Sequence, residues 1–199
     1  MDPAHPILGN TWMVWNTFLA LIPALLALRL FRAGARRTVG WWIGAVAFMA
    51  FLPNAAYVLT DVIHLPTDLR AASNSVPLTF AVLGAYAAFA VIGFAAYAYS
   101  VLRLVGYLRE QGLSTVGLVV AELSVHFLAT IGVILGRVFR FNSWDVIARP
   151  GEIVETLRLP QTEWGIAVVA FVLVTITVGT LFVRLLVDAA RRTHRPHSR

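Results

Sequence analysis

Asn54, Tyr57, Asp61 and His64 lie in PNAAYVLTDVIH, a stretch that is otherwise apolar. At about 100° per residue, a helix places the four within about 80° of one another. A carboxyl, an imidazole, an amide and a phenol on one stripe are the parts of an acid/base site. Asp61 or His64 would move the proton, while Asn54 and Tyr57 orient the substrate. A second polar stretch, GRVFRFNSWD, covers residues 136–145. It offers Arg137 and Arg140 as cations that hold an anion, with Asn142, Ser143, Trp144 and Asp145 as further substrate contacts. Glu122, His126 and Thr130 share a helix face with the two arginines. At 1.5 Å per residue, Glu122 lies about 22 Å from Arg137. It is thus out of reach of Asp61 and pairs with His126, as a local contact or as part of a proton path.

These residues are carried by segments with little charge. The chain has 199 residues, 59% of them hydrophobic and 13% charged. A soluble domain has about 25% charged residues, so the deficit marks a membrane protein. Five apolar runs are long enough to cross a hydrocarbon core of about 30 Å, which takes about 20 helical residues. They extend from Thr11 to Phe31, Gly40 to Thr60, Leu78 to Leu104, Val116 to Phe139 and Trp164 to Val187. Backbone groups in hydrocarbon must bond within their own segment, so the spans are helices. The expected fold is all-α, a single transmembrane domain of five spans over residues 1–199.

The arginines set the orientation. Arg29, Arg32, Arg36 and Arg37 flank the first connection, Arg103 and Arg109 the third, and Arg191, Arg192, Arg195 and Arg199 the C-terminal end. By the positive-inside bias, the N-terminus lies outside and the C-terminus in the cytoplasm. The fourth connection strains this arrangement, because it holds Arg140, Arg149 and Arg158 and must lie outside. With five spans the two polar stretches reach the same outer side, and an Asp61–Arg137 ion pair is expected there. In the fourth connection, Asn142 suits a helix N-cap, and Ile153, Val154 and Leu157 share one face of a short interfacial helix. Pro53 removes a backbone hydrogen bond, leaves the Met49 carbonyl unpaired and kinks the second span. Asn54 beside it either satisfies loose backbone groups or meets a ligand. Gly40/Gly44 and Gly132/Gly136 are small-residue pairs suited to close helix contacts. The first apolar run, lacking a basic leader, reads as a retained span.

Other chemistries find less support. The chain has no cysteine, which removes disulfides, thiolate metal sites and cysteine nucleophiles. Asp61, His64, Asp68 and Asp145 form a loose metal set at the outer face, too sparse to specify an ion, so no metal is assigned. His64 and His126 lie at different depths, which speaks against haem between them. No cofactor is expected. The formal charge of +6 belongs to loops and helix ends, and nucleic acid is not an expected partner. Phosphate-loop, nucleophile-elbow and zinc-helix motifs are all missing from the sequence. Oligomeric state is not legible.

PNAAYVLTDVIHL followed by GRVFRFNSWDVI resembles the paired signatures of a family of bacterial integral-membrane proteins known as domain of unknown function 1361. The resemblance covers most of the chain from Trp41 onward. It implies a polytopic protein of the bacterial inner membrane and carries over Pro53, Asn54, Tyr57, Asp61, His64, Gly136, Arg137, Arg140, Asn142, Ser143, Trp144 and Asp145. Here AAY follows PN, where the family pattern suggests a proline. The resemblance implies no activity. Two functions follow from the residues themselves. One is an extracytoplasmic site that binds or transforms a lipid-linked or small anionic substrate. The other is a small transporter or structural subunit, in which the charges clamp helices together.

Overall fold

The computed structural model describes residues 11–58, 60–137, 148–152, 155 and 163–193. The side chains of Arg137, residues 163–165 and residue 168 are outside that description. Among the described residues the regular structure is entirely helical. The order is α1 (Thr11–Leu30), α2 (Val39–Tyr57), a short 3-10 helix (Asp61–His64), α3 (Leu65–Ala72), α4 (Val76–Glu110), α5 (Thr115–Arg137) and α6 (Glu163–Thr193). Five helices are long and apolar enough to cross a membrane. The chain divides into two compact units, Met1–Ser100 and Val101–Arg199, and α4 runs through the boundary.

In the first unit α1 packs along α2. The buried residues of α1 are Met13, Ala20, Pro23, Ala27 and Leu30. They fall seven, three, four and three residues apart, the repeat of a seam between two nearly aligned helices. Its small members let the backbones approach. A Cβ on Gly44 would lie 2.8 Å from Leu30 Cδ2, so a larger residue there would have to push the end of the Leu30 side chain aside. Gly40, its partner in the predicted pair, meets only its own Thr38. Phe31 stands edge-on to Phe48 at 4.9 Å. At the helix start, Thr38 caps α2 by accepting a bond from the Trp41 N–H.

The second apolar run was expected to continue as one helix to Thr60, carrying its polar stripe with it. Instead α2 closes at Tyr57. Both the amide and the hydroxyl of Thr60 donate to the Tyr57 carbonyl, at 2.8 and 2.7 Å. That carbonyl would otherwise accept from residue 61. The Asp61 N–H bonds instead to Val58 O, three residues back, which is 3-10 pairing. The four-residue α-helical stripe is therefore corrected: Asn54 and Tyr57 are on α2, whereas Asp61 and His64 are on the tighter turn. Pro66 then opens α3 at a position that needs no N–H. The second connection is thus mostly helical. Thr79 of α4 donates to Ala72 O at 3.1 Å and ties α3 down.

Two helices overrun the expected spans. α4 has 35 residues, about 52 Å at 1.5 Å per residue, against a hydrocarbon core of about 30 Å. α6 continues to Thr193, past the expected Val187, and Arg191 and Arg192 in its last turn suit the negative end of the helix dipole. Gly112, at φ +86°, ends α4. The N–H of Leu113 reaches Leu108 O and that of Gly112 reaches Arg109 O, the paired bonds that close a helix on a left-handed residue. Ser114 then accepts from the Gly117 N–H and starts α5. In the second unit α5 packs against α6. Val172, Ile176 and Thr180, spaced by four, form the buried stripe of α6. Of the interfacial helix expected in the fourth connection, Ile153, Val154 and Leu157 lie outside the described residues. Arg149 and Glu152 before them pair at 3.3 Å on an exposed turn.

Candidate functional site

In the first unit, polar groups gather at the end where α1 begins and α2 closes. Asn16 is on the same face as the α1 seam, three residues after Met13. Its amide donates to Asp61 Oδ2 at 3.2 Å. Asp61 is 1% exposed. Burying a carboxylate costs several kcal/mol unless hydrogen bonds or charges offset it, and the Asn16 amide is one such donor. Val58, just before the turn, is fixed by a close approach from α4. A Cβ on Gly93 would come within 2.7 Å of Val58 Cβ. Helix α4 thereby holds the segment that aims Asp61 inward.

Around this carboxylate stands an aromatic group. Trp12 is tilted against the His64 ring at 5.3 Å and stands edge-on to Phe89 at 5.7 Å and to Tyr86 at 6.3 Å. The Tyr86 hydroxyl donates to Asp68 Oδ2 at 2.8 Å. His64 is exposed, so its imidazole can exchange protons with water while Asp61 cannot do so directly. A buried carboxylate and an exposed imidazole thus lie three residues apart on the same 3-10 turn. Proton transfer and hydrogen bonding to a polar ligand are both within its chemistry. Asn54 is turned to other work: its amide donates to the Phe51 carbonyl at 3.2 Å. The carbonyl it meets is that of Phe51, three residues back, and not that of Met49, whose usual helical donor would be the N–H that Pro53 lacks. Tyr57 is half-buried on the last turn of α2.

The second unit holds a separate polar group. Glu122 Oε1 accepts a hydrogen bond from Arg184 Nη2 of α6, an ion pair across the two helices. The same oxygen lies 3.8 Å from His126 Nε2. Glu122 and His126 are thus brought together as expected from their spacing, and Arg184 joins them. One turn along, His126 and Thr180 are 1% and 0% exposed. The Glu122–Arg184 pair ties the two helices side chain to side chain. The Thr180 hydroxyl has no hydrogen-bond partner among the described residues. Thr130, a further turn on, donates to His126 O at 2.9 Å.

Arg137 closes α5, and its side chain lies outside the description. Arg140, Asn142, Ser143, Trp144 and Asp145 are also outside the described residues. Among the described residues no three His, Asp or Glu side chains gather in a way that could hold a metal ion. Sequence reasoning missed Asn16, Tyr86 and Arg184. Asn16 was recognisable as a polar residue on the α1 seam. Arg184 was recognisable as a charge inside an apolar run, though its partner required the helix register.

Residues 15–181 match the model of the family described as "Protein of unknown function (DUF1361)". No curated protein and no solved structure matches the chain. The chain belongs to the DUF1361 family.

Proposed function

We propose that this multi-pass membrane protein binds and transforms a lipid-linked or small anionic substrate at the end of its first unit. Asp61 and His64 act there as acid and base. Asn16 holds the Asp61 carboxylate, and Trp12 and Tyr86 form the wall. The N-terminus is outside, the C-terminus is cytoplasmic, and the membrane is the bacterial inner membrane. The observation that carries this reading is a carboxylate 1% exposed at the end of a membrane helix, bonded to Asn16. An ionisable group at such a position is costly and by default functional. The test replaces Asp61 by Asn and His64 by Gln, one at a time, in the native host. Lipid profile and growth should change while the purified variants keep their helix content. If both variants are wild type in lipids and growth, this reading is wrong.

A second reading is favoured by the Glu122–Arg184 pair. As a transporter or a subunit of a larger complex, the protein would use this pair as a clamp between α5 and α6. His126 would be its proton-sensitive element, since a protonated imidazole competes with Arg184 for Glu122 Oε1. A vesicle flux assay separates the two readings. His126→Gln alters flux if the second holds and leaves lipid chemistry untouched.

A further inference from the structure

Arg29, Arg32, Arg36 and Arg37, where α1 turns into α2, are all exposed. No Asp or Glu occurs between Thr11 and Thr60, so α1, α2 and their connection bring only positive charge to this rim. It is also shaped. The Ala35 N–H bonds to Arg32 O at 3.2 Å and the Thr38 N–H to Arg36 O at 3.0 Å. Gly34 takes φ +72°, which permits the tight turn. The Trp41 indole N–H donates to Leu30 O at 2.9 Å and caps the end of α1. Arg37 stacks its guanidinium 5.9 Å from the centre of that same ring. Directly beside this basic arc, Val39, Trp42 and Ile43 are 77%, 57% and 66% exposed.

A row of arginines over an exposed aromatic and aliphatic belt has the layout of a phospholipid. Planar guanidinium groups fit the two free oxygens of a phosphodiester. An amphipathic indole sits at glycerol depth, and aliphatic side chains meet the upper acyl chain. Net positive charge alone is enough to orient a loop. A turn fixed by backbone bonds, with one arginine parked on a ring, goes further and presents a defined surface. We propose that the Arg32–Arg37 rim and Trp42 form a binding site for an anionic phospholipid headgroup. The site depends on the chain spanning a membrane and is independent of any chemistry at Asp61.

The full chain, purified in detergent, is given equal amounts of phosphatidylglycerol and phosphatidylcholine with the same acyl chains. Native mass spectrometry reads the lipid retained. Phosphatidylglycerol should be retained in preference. Arg36→Gln with Arg37→Gln should lower its retention by tenfold or more, at about fivefold per arginine. Trp42→Ala should lower retention without altering charge. Arg191→Gln with Arg192→Gln removes the same charge from the exposed end of α6 and should leave retention within about twofold. Circular dichroism confirms that each variant is helical. An equal fall in both arginine pairs would reduce the effect to bulk charge and overturn the proposal, as would retention unchanged in the Arg36/Arg37 variant. Displacement of the lipid by excess inorganic phosphate would overturn the lipid assignment in favour of a bare phosphate site.

Discussion

Asp61 is held where water does not reach it, and its bond to Asn16 sets the cost of disturbing it. Replacing Asn16 by Leu removes a donor from a buried carboxylate, a loss of about 1–3 kcal/mol. A thermal melt in detergent should show that fall, whereas Asn16→Asp should be worse because it sets two carboxylates side by side. A second test concerns the segment that aims Asp61. Gly93→Ala drives a methyl group into the branched Val58 side chain, and overpacking of this kind costs about 1–3 kcal/mol. Adding Val58→Ala should recover only part of the melting temperature, because its Cβ stays 2.7 Å from the new methyl group. If the single variant melts like wild type, α4 does not press on this segment. These residues also show what was legible. Asp61 and His64 are conspicuous as ionisable groups in an apolar run. Asn16 is a mild polar residue whose role appears only once α1 lies against α2. The α-helical stripe failed because Thr60 takes the Tyr57 carbonyl twice over, a competition that side-chain periodicity does not encode.

At the scale of helices, spans were legible from hydropathy because a bilayer demands length and apolarity together. Their ends were less so. α6 runs on past Val187 because its polar continuation is still helix-forming and its arginines suit the C-terminal dipole. α3 was missed because Leu65–Ala72 is short and of mixed polarity. The α5–α6 pair allows a sharper test. Arg184→Leu leaves Glu122 as a largely buried carboxylate without its cation, and should cost more than Arg184→Leu combined with Glu122→Leu. Removing both charges is often near neutral, while stranding one is not. Thermal melts of the two variants decide it. If the double variant melts below the single, the pair is not the clamp its geometry indicates. The Glu122–His126 spacing was readable at i, i+4, but Arg184 was not, because nothing in a single sequence gives the register between two helices.

For the whole molecule the decisive quantity is which connections share a side of the membrane. If all five apolar helices cross, the positive-inside bias predicts termini on opposite faces, with the arginines at 32–37, 103–109 and 191–192 on the cytoplasmic one. The chain has no cysteine, so single cysteines placed at exposed positions report topology without background. Thr67, Ala33, Gln111, Gly151 and Ala189 are all exposed. With a membrane-impermeant maleimide, Thr67→Cys and Gly151→Cys should label in intact spheroplasts. Ala33→Cys, Gln111→Cys and Ala189→Cys should label only after permeabilisation. Gly151→Cys carries the most weight, because its connection holds Arg149 and Arg158 and is the one place where the charge bias opposes the span count. Labelling of Gly151→Cys only after permeabilisation, with Thr67→Cys still labelled from outside, would mean that α5 does not cross. The C-terminal end of α5 would then be expected on the cytoplasmic side. Labelling from outside keeps both polar stretches open to the same water, which is the condition that an extracytoplasmic substrate requires.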